Sequence, residues 1–175
     1  MDLFKFCRQF TSEDAAPALP SSLLRPSSRS STSHTDADVS TLTKTLLDPS
    51  FSLFVRYRAV FTLRNIGTPA AIDALSSALL SPSYIYSPLF KHEVAVVFGQ
   101  MSDPHSVPAL LRVLEEEREG EMVRHEAADA LSGIATDDVL PVLRKWAASD
   151  DALRVVRESC VVAIDMREVC HSSDL

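Results

Sequence analysis

A chain of 175 residues with 46% apolar and 23% charged residues has the length and balance of one globular domain with some chain to spare. Its net charge of −7 excludes a general nucleic-acid binder, which would show a basic excess. No apolar run approaches the ~18 residues of a membrane span, and three cysteines without metal-type spacing (Cys7, Cys160, Cys170) exclude a disulfide framework and fit a reducing compartment.

The opening "MDLFKFCRQF" carries an acid at its second residue and lacks a long apolar core, so it makes a poor secretory signal. Asp2, Glu13 and Asp14 also oppose a mitochondrial presequence, and the expected location is cytoplasmic. "SSLLRPSSRSSTS" (Ser21–Ser33) holds seven serines in thirteen residues with no periodicity. Such a stretch buries too little apolar surface to offset its ordering entropy. Residues 1–36 are therefore expected to be a disordered tail or a linker remnant, with something once preceding it. Lys5, Arg8, Arg25 and Arg29 balance Asp2, Glu13, Asp14 and Asp36 there, so the whole −7 belongs to residues 37–175.

From Asp38 onward a pattern repeats. "VRYRAVFTLRN" from Val55, "FKHEVAVVFGQM" from Phe90, "VRHEAADALSGI" from Val123 and "VVRESCVVAIDM" from Val155 align with Tyr57, His92, His125 and Arg157 in one column, at spacings of 35, 33 and 32. Self-similarity at this period is the mark of a helical solenoid. The pattern predicts an all-α, HEAT-like (PBS-lyase type) right-handed stack of about four antiparallel helix pairs over residues 37–170, with 171–175 as a short tail.

In the second repeat a first helix spans Phe90–Met101, with Phe90, Val94, Val97, Phe98 and Met101 on its apolar face. Ser102 or Asp103 then caps a second helix that starts at Pro104. That helix, about Ser106–Glu117, buries Val107, Leu110, Leu111 and Leu114. Gly120 is expected to stop it. The last segment, Val155–Glu168, reads as a truncated cap.

Two of the five histidines fall in one column, each followed by glutamate: His92-Glu93 and His125-Glu126. Chance pairing of five His with ten Glu predicts about 0.3 such dipeptides in a chain of this length. Stacked helices lie about 8–10 Å apart, so histidines at one height on neighbouring helices can reach a point between them. Two imidazoles and a carboxylate with open positions suit iron(II) and dioxygen chemistry, and the lack of thiolate speaks against structural zinc. The competing reading is a pair inherited by duplication that serves packing alone. Tyr57-Arg58 and Arg157-Glu158 lack the dipeptide, so the candidate set is confined to the two central repeats. His105 reads as a surface or cap residue and Cys160 as core; His34 and His171 have no partner in phase.

These linked motifs, over about Leu42 to Glu168, resemble the C-terminal half of the deoxyhypusine hydroxylase family. The resemblance implies a HEAT-repeat dimetal monooxygenase that hydroxylates the deoxyhypusine residue of a translation factor to form hypusine. In that family two four-repeat halves face each other, and Fe(2+) is the cofactor, two per complete site. The resemblance thus places His92, Glu93, His125 and Glu126 on the metal-site motif positions of one half and implies one iron there, with His92, His125 and Glu126 as direct ligands. Glu93 would receive the cationic substrate amine or sit behind the ligands. The implied partners are the translation factor and either an N-terminal half or a second copy of this chain. A metal-free HEAT-repeat scaffold that binds protein is the alternative.

Overall fold

The computed structural model describes residues 36–82, 85–134, 136 and 138–172, with the side chains of 36, 37 and 169–172 excepted. The serine-rich segment lies outside the described residues. The described elements are helices: α1 (Asp36–Leu47), α2 (Leu53–Ile66), α3 (Pro69–Leu79), α4 (Pro88–Met101), α5 (Val107–Glu115), α6 (Glu121–Ser132), α7 (Val139–Ala147) and α8 (Arg154–Ser172), with one 3-10 turn at Pro104–Ser106. No strand occurs among the described residues. The expected all-α solenoid of about four helix pairs is what forms.

The repeat is visible in the helix ends. Ser52, Thr68 and Ser87 each cap a helix by accepting a hydrogen bond from a backbone N–H three residues on, and Pro69 and Pro88 occupy first-turn positions where no donor is needed. The end of α2 uses Gly67 in the left-handed region (φ 64°), where its N–H donates to Leu63 O. Thirty-five residues on, Ser102 takes the same conformation (φ 49°), and its hydroxyl donates to Gly99 O at 2.9 Å.

The core runs unbroken along the stack. Leu46, Leu63, Leu75, Phe98, Leu110, Leu131 and Val156 are all fully buried. Helix α6 packs against α4 on one side and α8 on the other, so the three first-helices form a continuous layer. A close approach sets the α4–α6 distance: a Cβ placed on Gly99 would lie 3.3 Å from Ala130 Cα.

A second periodic device ties the layers together. Arg56 and Arg124 are buried basic residues immediately before the His column, and each donates from Nε to a carbonyl ten residues earlier, Leu46 O and Leu114 O, both at 3.0 Å. These carbonyls lie in the last turns of α1 and α5, where the helix itself supplies no donor. The guanidinium of Arg56 stacks 4.3 Å from the Tyr86 ring and 4.4 Å from Phe90; that of Arg124 lies 4.5 Å from Trp146. In the repeat between them the basic residue is Lys91, which pairs with Glu119 instead, both buried.

Four expectations are corrected. The 3-10 turn takes Pro104 to Ser106, so the second helix starts at Val107, and it ends at Glu115 because the glutamates after it form a turn. Gly120 does not stop α5. It stands at the N-terminus of α6 with φ −59° and ψ 139°, a conformation open to any residue. Leu111 and Met101 are only half-buried and pack at the edge of the core. Finally, α8 runs to Ser172, and burial moves its register by one residue. Val156, Cys160 and Ala163 are buried as Val123, Ala127 and Ala130 are, while Val155 is 37% exposed. The last spacing is therefore 33, not 32, which places Glu158 in the His column and Ser159 in the Glu column.

Candidate metal centre

The His-Glu dipeptides lie in the first half of α4 and of α6. Adjacent residues on a helix point about 100° apart, so the two side chains of a dipeptide can reach different neighbours: on α6, Glu126 faces α4 and His125 faces α8. The two motifs meet. His92 Nε2 lies 3.2 Å from Glu126 Oε2, joining α4 to α6. His92 Nδ1 is buried, has no hydrogen-bond partner, and sits 3.7 Å from Glu93 Oε1.

On the α6 side the structure adds a residue that the sequence columns do not single out. His125, Glu126 and Asp129 each offer a ligand atom, and the three atoms lie within 4.8 Å of one another. His125 Nε2 is 3.6 Å from Asp129 Oδ2, one helical turn further on. The opposite nitrogen, Nδ1, lies 2.6 Å from the Ser159 hydroxyl on α8. Two imidazoles and three carboxylates thus gather along one seam of α4, α6 and α8.

The electrostatics describe a site short of positive charge. Burial, then the neighbouring Asp129 and Glu93, push the Glu126 carboxyl up to about 7, against an opposing pull from His125. Asp129 is raised as well, chiefly by burial, with His125 and His92 pulling the other way. At the seam's edge Tyr57, which holds the His column in the first repeat, is held in its phenol form by burial and then by Glu93.

A cation fits the donor set of His125, Glu126 and Asp129. Nitrogen and carboxylate ligands on fixed helices, crowded until one carboxyl titrates near neutrality, are what a divalent ion would relieve. Among the described side chains a thiolate is not on offer, since burial pushes the Cys160 thiol up to about 11. His105 is exposed and pairs with Asp73 at 2.9 Å, as its reading as a surface residue expects. His34 lies outside the described residues.

The raised carboxyl gives a pH prediction for the metal-free chain. A folded pKa near 7 against about 4.5 unfolded means that the folded state favours the protonated acid. Glu126 therefore lends stability fully below pH ~4.5 and loses it as pH rises through ~7, an effect of about 3 kcal/mol at most. Urea unfolding in chelator across this window should show stability falling with pH, and Glu126→Gln should flatten that part of the curve. An equal slope in the variant would contradict the placement of Glu126.

Comparison with known proteins follows from this architecture. Residues 84–165 match a profile described as HEAT repeats, and residues 55–81 match one described as PBS lyase HEAT-like repeat. The chain is 52% identical over 139 residues to a Schizosaccharomyces pombe deoxyhypusine hydroxylase, covering 79% of this chain and 42% of that one. It is 52% identical over 165 residues to the Lentinula edodes protein of the same name, covering 94% and 48%. Among solved structures, human deoxyhypusine hydroxylase in complex with glycerol superposes with a TM-score of 0.72 at 38% identity, over 79% of this chain and 46% of that one. The chain thus spans a little under half the length of the relatives it matches.

Proposed function

This chain belongs to the deoxyhypusine hydroxylase family, and from that premise we propose that it is a deoxyhypusine monooxygenase or one half of one. Its reaction would be the iron- and dioxygen-dependent hydroxylation of the deoxyhypusine residue of a translation factor, in the cytoplasm. The observation that carries the reading is the 3.2 Å contact between His92 and Glu126, which brings the two His-Glu motifs to one seam.

In this reading the repeat body, residues 37–170, is the metal-binding domain. His92, His125 and Glu126 hold one Fe(2+), and Asp129 lies close enough to join or assist them. Bound iron supplies the dioxygen activation that no protein side chain can provide. The residues do the rest. Glu126 gives up its proton as the cation arrives. Glu93, beside His92 with its side chain 35% exposed, receives the cationic amine of the substrate arm. The acidic body draws that polyamine arm in at long range.

Partners are supported by a second feature. Phe54, Leu89, Met122 and Val155 recur at one position of the four first-helices, three residues before the Tyr57, His92, His125, Glu158 column, and are 54, 53, 46 and 37% exposed. An apolar row of this kind suits a protein surface laid along the stack. A complementary half, a second copy of this chain or the translation factor could each occupy it, and it is the one feature that favours the scaffold reading. No helix among the described residues is long and apolar enough to cross a membrane.

The test is hydroxylation of the deoxyhypusine-containing factor by this chain alone and by this chain with a separately expressed N-terminal half. Product in the second mixture, lost with His92→Ala, is the expected result. Product formed equally well with His92→Ala would refute the assignment.

A further inference from the structure

We infer that Ser159 is a positioning residue that fixes the tautomer of His125. The hydroxyl of Ser159 makes two contacts: Val155 O at 2.8 Å and His125 Nδ1 at 2.6 Å. A carbonyl can only accept, so the single hydroxyl proton goes to Val155 O. The hydroxyl oxygen must then accept, and His125 Nδ1 carries the proton that it accepts. Neutral imidazole has one N–H, so Nε2 is left with a free lone pair.

That lone pair faces the carboxylates. Nε2 lies 3.6 Å from Asp129 Oδ2, a pairing of two acceptors that repels unless a cation or a proton stands between them. Ser159 is only 6% exposed and sits on α8, which packs along α6, so water does not readily replace it. Of the two motif histidines, only His125 has this device. His92 Nδ1 is buried and meets no hydroxyl. In the column where α6 carries Glu126, the fourth repeat carries the serine that orients His125.

The use of this tautomer rests on the metal reading above, but its geometry does not. The test therefore has two arms on the full-length chain. Histidine labelled with nitrogen-15 is observed by two-bond proton–nitrogen correlation in the metal-free protein, which distinguishes the Nδ1–H, Nε2–H and doubly protonated rings. His125 is identified by the signal lost in His125→Asn. The expected wild-type form is Nδ1–H, moving toward Nε2–H in Ser159→Ala and staying in Ser159→Thr. The second arm titrates Co(II) against a competing chelator, where Ser159→Ala should bind about 10–100-fold more weakly than wild type.

An Nε2–H wild type overturns the inference, as does a folded Ser159→Ala with unchanged tautomer. Unchanged Co(II) affinity in that variant overturns the positioning role. Should the wild type bind no Co(II) while the tautomer still follows Ser159, the metal reading fails and the tautomer assignment stands.

Discussion

Glu126→Ala should leave the purified chain without bound iron, and His125→Ala should do the same. Glu126 is the residue through which the two motifs meet, being 3.2 Å from His92 on one helix and grouped with His125 and Asp129 on its own. Its carboxyl titrates at about 7 because burial and two neighbouring acids oppose its charge. A divalent ion would reverse that balance, so removing the carboxylate removes both a ligand and the group whose ionisation the ion would stabilise. The loss in affinity should exceed the ~100-fold upper end typical of residues that merely support a ligand. Equilibrium dialysis with Fe(II) under anaerobic conditions measures it. His105→Ala is the control, since His105 is exposed and pairs with Asp73 instead; iron retained in Glu126→Ala would contradict the site.

The largest effect on stability should come from Glu119→Ala. Glu119 lies in the turn between α5 and α6 and pairs with Lys91, which is 1% exposed and adjacent to His92. The pair fastens that turn to α4, and the Glu119 carboxylate also accepts from Gly120 N at 3.1 Å, at the N-terminus of α6. Removing the acid strands a buried ammonium, which costs about 3–5 kcal/mol. That is a large part of the ~5–15 kcal/mol that holds a domain together. Replacing both partners with apolar residues, Lys91→Met with Glu119→Leu, should recover most of the loss, because no charge is then left unpaired. Urea midpoints of the three chains decide it: equal midpoints for wild type and Glu119→Ala would show that Lys91 does not depend on Glu119.

Much of this architecture is legible in the sequence because a solenoid repeats its instructions. Aligning Val55, Phe90 and Val123 brings apolar face and His column into register together, and a helix forms at each of the three. The meeting of His92 with Glu126 follows from that register. Asp129 does not, because a comparison between repeats cannot find a residue with no counterpart: α4 has Val96 where α6 has Asp129. It was within reach by a different rule, since it lies one helical turn, four residues, beyond His125.

Ser159 was hidden by an ambiguity of one residue. "RVVRES" offers two valines for the buried position, and apolarity alone cannot choose between them. Packing chooses Val156, at 0% exposure against 37% for Val155, and the serine moves into the column beside His125. Gly120 was ambiguous in a similar way. A glycine between two helices can end one or begin the next, and its negative φ shows that here it begins α6.

In the proposed function α4 and α6 jointly hold one cation. X-ray absorption at the iron edge of the Fe(II)-loaded chain tests it most directly, because it counts imidazoles around the metal. Two imidazoles are expected, from His92 and His125, with oxygen completing the shell and no sulfur. A single imidazole would place the ion on α6 alone, with His125, Glu126 and Asp129, and would contradict the joining of the two motifs.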